Sequence, residues 1–544
     1  MTTRLARLAA TVLVVVACEG CTRRSPSPTV IQTDSGTVAG KLLASGVRAW
    51  LGVPFAQPPV QGLRWKEAQP ITWQGVYNAD RKMPACIQVL RPHNINHYFG
   101  EEATGEDCLY LNIWAPPDAK PDSALPVIVF IYGGGGTVGS SGMANYDGEQ
   151  VARRGAIFVN FNYRLGILGF MAHPELTSEQ GGHSGNYGYL DQNAALRWIQ
   201  RNIAAFGGDP AKVIISGQSA GAGSVVQQIF SPRSRGLFRG AVMLSGCNYT
   251  SSNTPLVEAE AAGLEIQKQL SAANLDELRQ VPADRILAIQ NEFQVGRSVE
   301  GIRTGGVIDG YFMPGTKAEI LQAHGAADVP IIASYTHDEA GSPLKAAKSV
   351  AEYKTIAAQM FGTAADEFLA LYPVVADTEI GRMAQEAAND AAGLFNSRTC
   401  ASLQAQYHKS PTYITVYSRK HPYVPGVTIA DQDPATIGAY HTAEVPYYFG
   451  TQDAYNMFRP TRNWTSWDRE LSQKMTAALV AFATTGNPST RDATWPAWSA
   501  QNEQYLNLGD TISVETMNRA RLDFMAKHRP APAPRGGPRR FPRD

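Results

Sequence analysis

Six cysteines in 544 residues are too few for a disulfide-built scaffold, and only Cys18 and Cys21 stand at the Cys-x-x-Cys spacing of a zinc or redox site. No metal or cofactor is expected. Charge of one sign is absent as well. With 48 Lys and Arg against 48 Asp and Glu, the formal net charge is +0, and nucleic acid finds no electrostatic footprint here. No internal repeat and no low-complexity linker divides the chain between its ends. Although a prior of about 150 residues per domain would give three or four units, one large domain over residues 27–528 is the expectation. What is present, 44% hydrophobic and 18% charged residues, suffices for a soluble globular body with a substantial core.

The two ends differ from this body. Arg4 and Arg7 precede an apolar stretch from Leu8 to Ala17, too short to span a bilayer but well formed as an export signal over residues 1–17. Val15-Val-Ala-Cys18 has the form of a bacterial lipobox, in which Cys18 is lipidated after cleavage. Ordinary signal cleavage nearby is the alternative. The expected location is therefore periplasmic or outer-membrane-anchored through Cys18, or else secreted. Residues 529–544, rich in Pro and Arg, cannot build a core and read as a disordered basic tail.

Within the body, the most informative stretch runs from Phe206 to Gly221, where Val213–Ile215 leads into Gly217-Gln-Ser-Ala-Gly221. The apolar run reads as a buried strand, and Ala220 onward, through Val225, Val226, Ile229 and Phe230, reads as a helix. Ser219 then sits on a sharp strand-to-helix turn, its hydroxyl exposed at the sheet's edge. Gly217 and Gly221 are required where the two backbones approach closely. A serine in this position is a candidate nucleophile, which needs a base, an orienting acid and donors for an oxyanion. Leu125–Ile131 reads as another buried strand and runs into Gly133–Gly136, whose main-chain N–H groups can face a cleft without side-chain obstruction. Gly134, Gly135 and Ala220 are the candidate donors.

A third strand, at Val329–Ser334, precedes His337, Asp338 and Glu339. Such a cluster is more often a solvated loop than a site, and either carboxylate could orient a histidine. The order nucleophile, acid, base leaves His408, His421, His441 and His528 as candidate bases. His441, in a loop rich in glycine and aromatics, best suits a side chain reaching over a cleft. Strands at 127–132, 157–161, 213–216, 241–245, 329–334 and 412–417 alternate with helical stretches. The fold class is therefore α/β with a mostly parallel sheet, and residues 252–298 and 345–410 read as helical excursions that wall the cleft.

The chain resembles the type-B carboxylesterases, the branch of the α/β-hydrolase fold that includes para-nitrobenzyl esterases and cholinesterases. Phe206–Gly221 is similar to that family's serine signature, and Glu106-Asp-Cys-Leu-Tyr-Leu-Asn-Ile-Trp-Ala-Pro116 to its second signature. Leu51–Pro59, Asn162–Gly166, Gly185–Gln192 and Val307–Gly310 are further family-like segments. The resemblance implies Ser219 as nucleophile, Glu339 rather than Asp338 as acid, and His441 as base. It also implies hydrolysis of uncharged small to medium carboxylic esters through an acyl-enzyme. Lactone, feruloyl and tannin-type esters on the same machinery are the alternative, and a non-enzymatic binding module is the remote one. Gln218, Ser245 and Glu444 fall where relatives place supporting partners of the acid and base. Arg64 with Glu106, and Arg164 with Asp191, resemble the family's structural ion pairs. By the same resemblance Cys86 pairs with Cys108, while Cys247 and Cys400 are left either bridged to each other or free, with the bridge preferred.

Departures from the family pattern bear on the substrate. Gln218 replaces a glutamate common in relatives, and between Cys86 and Cys108 there is no tryptophan to stack on a quaternary ammonium, only Tyr98 and Phe99. Choline esters are not expected. Gly136 stands where relatives usually carry phenylalanine, and Tyr132 where many carry histidine, which implies a roomier rim.

Overall fold

The structure, a computed structural model, describes residues 29–100, 103–294 and 305–528. The export signal over 1–17, Cys18 and the tail over 529–544 lie outside the described residues. Apolar runs such as Leu125–Ile131 and Tyr110–Ala115 carry β-branched and aromatic residues without the alternation of a half-wet sheet, and they are buried on both faces. They assemble into one sheet of eleven strands. In chain order these are β1 Lys41–Leu42, β2 Arg48–Pro54, β3 Tyr110–Ala115, β4 Leu125–Ile131, β5 Ile157–Phe161, β6 Gly208–Gln218, β7 Gly240–Leu244, β8 Ile331–Thr336, β9 Thr412–Tyr417, β10 Gln504–Leu508 and β11 Ile512–Thr516. Their spatial order is β11-β10-β9-β8-β7-β6-β4-β5-β3-β2-β1. From β10 across to β5 the pairings are parallel, and at both edges they turn antiparallel. A parallel sheet needs crossover connections, and helices supply them, so both ingredients of the expected α/β fold are present.

Three helices matter for the site. Helix α1, Ala220–Phe230, packs on β6 and β7; α2, Gly393–Tyr407, packs on β8 and β9; and α3, Ser466–Thr485, packs on β4 and β6. The expected helical excursions are there too. Helices at Leu256–Gln269, Leu275–Gln280 and Ala283–Gln294 make the first, and those at Val350–Phe361, Ala365–Leu371 and Ile380–Ala391 make the second, before α2. The second has a small core of its own around Tyr353, Phe368 and Tyr372, separate from the main core on the sheet. Among the described residues no helix is long and apolar enough to cross a membrane.

Buried ion pairs pin the connections. Arg64 grips Glu106 with two charge-assisted bonds of 2.5 and 2.6 Å and also donates to the Arg279 carbonyl. Arg164 grips the fully buried Asp191 at 2.6 and 2.8 Å. These are the two pairs the family resemblance implied, and a bidentate, desolvated guanidinium pair holds geometry far better than an exposed one. Cys86 and Cys108 form the implied disulfide. Cys247 and Cys400 do not: both are reduced and buried, with their thiols in hydrogen-bonding contact. The preferred bridge is thus replaced by its alternative, two thiols facing each other from the loop after β7 and from α2.

Candidate active site

Because neighbouring parallel strands end on the same side, the turns after β6, β7 and β8 meet along one edge of the sheet, where open α/β sheets bind ligands. Ser219 follows β6 directly and caps α1. Its backbone is forced to φ 58°, ψ −124°, a region that a residue with a Cβ rarely occupies. The two flanking glycines explain how the turn closes. A Cβ on Gly221 would stand 2.0 Å from the Ile131 carbonyl oxygen, and one on Gly217 would stand 2.3 Å from that of Gly221. The Ser219 N–H donates to the Leu244 carbonyl at 2.8 Å, which fastens the turn to the adjacent strand.

The candidate oxyanion donors follow from peptide planarity. In a trans peptide the carbonyl and the next residue's N–H point in opposite directions. The Gly134 carbonyl turns into its own loop, accepting the Thr137 and Val138 N–H groups at 3.1 and 3.2 Å, so the Gly135 N–H points the other way. The Ser219 carbonyl accepts the Gly223 N–H at 3.0 Å inside α1, so the Ala220 N–H points out of the helix start. Gly135, Ser219 and Ala220 border one cavity of about 660 Å³. The N-terminus of α1 adds its partial positive charge at the same spot.

His441 and Glu339 line that cavity as well. Although 102 residues apart, they meet through His441 Nδ1 and Glu339 Oε2 at 2.5 Å. Asp338 is the neighbour and not the partner. Its carboxylate accepts the Ala439 N–H at 2.6 Å and faces His337 Nδ1 at 2.9 Å, and its own N–H donates back to the Ala439 carbonyl. Asp338 therefore clasps the loop that carries His441. The other candidate bases lie elsewhere: His408 bonds Gln404 at the end of α2, His421 is buried against Ala443 and Tyr440, and His528 ends the last helix.

The supporting residues are less uniform than the resemblance implied. Gln218 Nε2 lies 3.3 Å from His441 Nε2, the ring nitrogen left over after Nδ1 meets Glu339. An amide donor there matches a proton on Nδ1, the tautomer a base needs, but it occupies the one Nε2 lone pair, which the Ser219 hydroxyl must reach in its place. Ser245 Oγ and both carboxylate oxygens of Glu444 are buried and bond to no described protein group. Burial, and then the nearby Glu339, push the Glu444 carboxyl up to about 8, so it stays protonated at neutral pH. Tyr132 does not shape the rim. It is fully buried and stacks on Tyr163 at 4.5 Å.

A serine at a strained strand-to-helix turn, a histidine–glutamate pair and two outward N–H groups on one cavity form a constellation suited to acyl transfer. A sequence model of the carboxylesterase family matches residues 27–525. The chain belongs to the carboxylesterase family. It is 35% identical over 485 residues to the fumonisin B1 esterase of Sphingopyxis macrogoltabida, covering 87% of this chain and 85% of that one. It is 31% identical over 494 residues to the para-nitrobenzyl esterase of Bacillus subtilis (strain 168), covering 89% and 96%. A solved PNB esterase structure superposes with a TM-score of 0.74 at 28% identity, over 92% of this chain and 99% of that one. The carboxylesterase thus has the α/β-hydrolase fold and is an ester hydrolase.

The supporting position of Gln218 was expected, and its contact with His441 joins residues 223 positions apart. One feature of this carboxylesterase's site was not visible beforehand: His97 reaches the residue next to His441 across 345 positions. His93 and His97 also stand at the His-x-x-x-His spacing of a helical metal pair, but their segment is turn and coil, so that spacing does not put both rings on one face. Among the described residues no group of three or more His, Cys, Asp or Glu is arranged to hold a metal ion.

Proposed function

We propose that Ser219, Glu339 and His441 form the catalytic triad, and that the enzyme hydrolyses uncharged carboxylic esters of small to medium size. The observation that carries this reading is the 2.5 Å contact between His441 Nδ1 and Glu339 Oε2 on the cavity that Ser219 opens into. His441 Nε2 takes the Ser219 proton as Oγ bonds to the ester carbonyl carbon, while the outward N–H groups of Gly135 and Ala220, with that of Gly134 as the third candidate donor, hold the oxyanion. The alcohol leaves with the proton returned by His441, and water repeats the sequence on the acyl-enzyme to release the acid. Losing one oxyanion donor costs about 10²–10³ in rate, which makes the glycine loop part of the chemistry.

Gln218 in place of the relatives' glutamate, and a sequence between Cys86 and Cys108 that carries no tryptophan, argue against choline esters. Gln227, Asn248, Ser251 and Asn396 on the cavity wall favour a substrate with hydrogen-bonding groups, which keeps lactone, feruloyl and tannin-type esters in the same test. That test is a para-nitrophenyl ester series from acetate to long acyl chains, with a feruloyl ester and a lactone beside it, run on the enzyme and on Ser219→Ala. Activity lost in Ser219→Ala supports the triad, and the preferred ester sizes the acyl side. Activity retained in Ser219→Ala refutes it. We further propose export, with anchoring through lipidated Cys18. Detergent-phase partition of the full chain but not of Cys18→Ala supports anchoring, and identical partition of both removes it.

A further inference from the structure

Thr442 directly follows the proposed base, and its backbone is at φ 82°. Among the described residues it is the one β-branched residue with positive φ, a conformation that persists only where the surroundings impose it. One of those surroundings comes from far away in the chain. His97 Nε2 lies 2.5 Å from Thr442 Oγ1, and the His97 ring meets the Tyr440 ring edge-on at 6.1 Å. His97 therefore touches both sequence neighbours of His441. Asp338 holds the same loop from the other side through Ala439.

The segment carrying His97 is itself held. The Cys86–Cys108 disulfide closes it, the Asn96 N–H donates to Asp431 at 2.9 Å, and Arg462 donates to the Asn96 side chain. Within the same closed segment, Gln88 exchanges two hydrogen bonds of 2.7 Å with the backbone of Gly139, just beyond the glycine run that carries the proposed oxyanion donors. One cross-linked loop thus contacts both the donor loop and the base loop.

We propose that His97 is a positioning residue for His441, acting through the Thr442 hydroxyl to hold residue 442 in its left-handed conformation and so aim the imidazole at Glu339 and Ser219. The inference rests on the reading of His441 as the base. Burial, with Arg91, His441 and Arg462 nearby, pushes the His97 imidazole down to about 3 even with the Asp431 carboxylate 4.0 Å from its Nδ1, so it works as a neutral hydrogen-bonding ring at neutral pH. Its effect is one of geometry. A misplacement of about 1 Å at a reacting group costs up to about 10² in rate, and this sets the scale.

The experiment measures kcat and KM for para-nitrophenyl butyrate with the full chain. His97→Ala is expected to lower kcat about 10- to 100-fold with KM within about twofold. Thr442→Val keeps the shape and loses the hydroxyl, so it should reproduce that loss, while His97→Gln, which keeps a neutral hydrogen-bonding group, should restore most of the rate. Thr442→Gly removes the side chain through which His97 acts, so adding His97→Ala to it should cost less than about twofold further. Unchanged kcat in His97→Ala, or the same loss in both backgrounds, overturns the proposal. If His97→Ala does not fold, Thr442→Val and His97→Gln carry the same test alone. Ser219→Ala separates the two readings: an active Ser219→Ala sinks the triad itself, whereas an inactive one beside an unaffected His97→Ala sinks only the role of His97.

Discussion

Replacing Glu444 by glutamine probes the buried carboxyl beside Glu339 and the proposed triad. Glu444 is fully buried, both its oxygens bond to no described protein group, and its carboxyl is raised from 4.5 to about 8. The unfolded chain releases this proton above about 4.5, whereas the folded protein keeps it to about 8. Across that window the folded state binds more protons, so stability falls as pH rises through it and is greatest below it. At 1.36 kcal/mol per unit, the shift amounts to about 5 kcal/mol lost between pH 4.5 and pH 8. An unfolding entropy of about 2.1 cal/mol/K per residue gives roughly 1 kcal/mol/K for a chain of this size, so the loss corresponds to about 5 °C in Tm. Glutamine has the shape of the protonated acid and cannot ionise. Calorimetry of both proteins from pH 5 to pH 9 at one scan rate should give similar Tm at pH 5, with the Glu444→Gln curve rising above the wild type by several degrees at pH 8. Parallel curves across the whole range would refute the reasoning, because the carboxyl would then be ionised in the folded protein or relieved by solvent.

Gln218→Glu sets a carboxylate beside His441 Nε2, raising the imidazole's affinity for a proton; the acid limb of the kcat/KM profile should move up by about one pH unit, and an unmoved limb would mean that the 3.3 Å contact is not kept in solution. Glu339→Gln should lower kcat by about 10⁴, the scale seen when the acid of such a triad loses its charge, while Asp338→Asn, which only slackens the clasp on Ala439, should cost far less; equal losses would exchange their roles. Replacing Cys86 and Cys108 together by serine opens a loop whose ends are 22 positions apart and should cost about 3 kcal/mol by the chain-entropy relation, read as an earlier midpoint in denaturant titration, with an unchanged midpoint as the contrary result.

What could be read from the chain follows the distance over which each feature is specified. The elbow at Ser219 was legible because it needs a strand, two glycines and a helix within some fifteen residues, and all of them are local. The strands were legible for the same reason, since a buried parallel strand is a continuous apolar run. Glu339 was not distinguishable from Asp338 by chemistry alone, and only the family resemblance chose between them. The structure adds a physical contrast: Asp338 is occupied by the Ala439 N–H and His337, which leaves Glu339 to meet His441. His97 carried no local sign of its contact, because nothing in His-Asn-Ile-Asn-His announces that its last ring will reach Thr442. The expected bridge between Cys247 and Cys400 rested on counting partners, and counting does not tell a thiol pair in contact from a covalent bond.

The left-handed backbone at Ser219 has a consequence for anyone improving this protein by directed evolution. Glycine would relax at that position, so a library selected on heat tolerance alone should enrich Ser219→Gly and return sturdier proteins that no longer turn over substrate. Under such a screen the proposed nucleophile is among the first residues exposed to replacement, and thermostability and turnover must be selected in the same round.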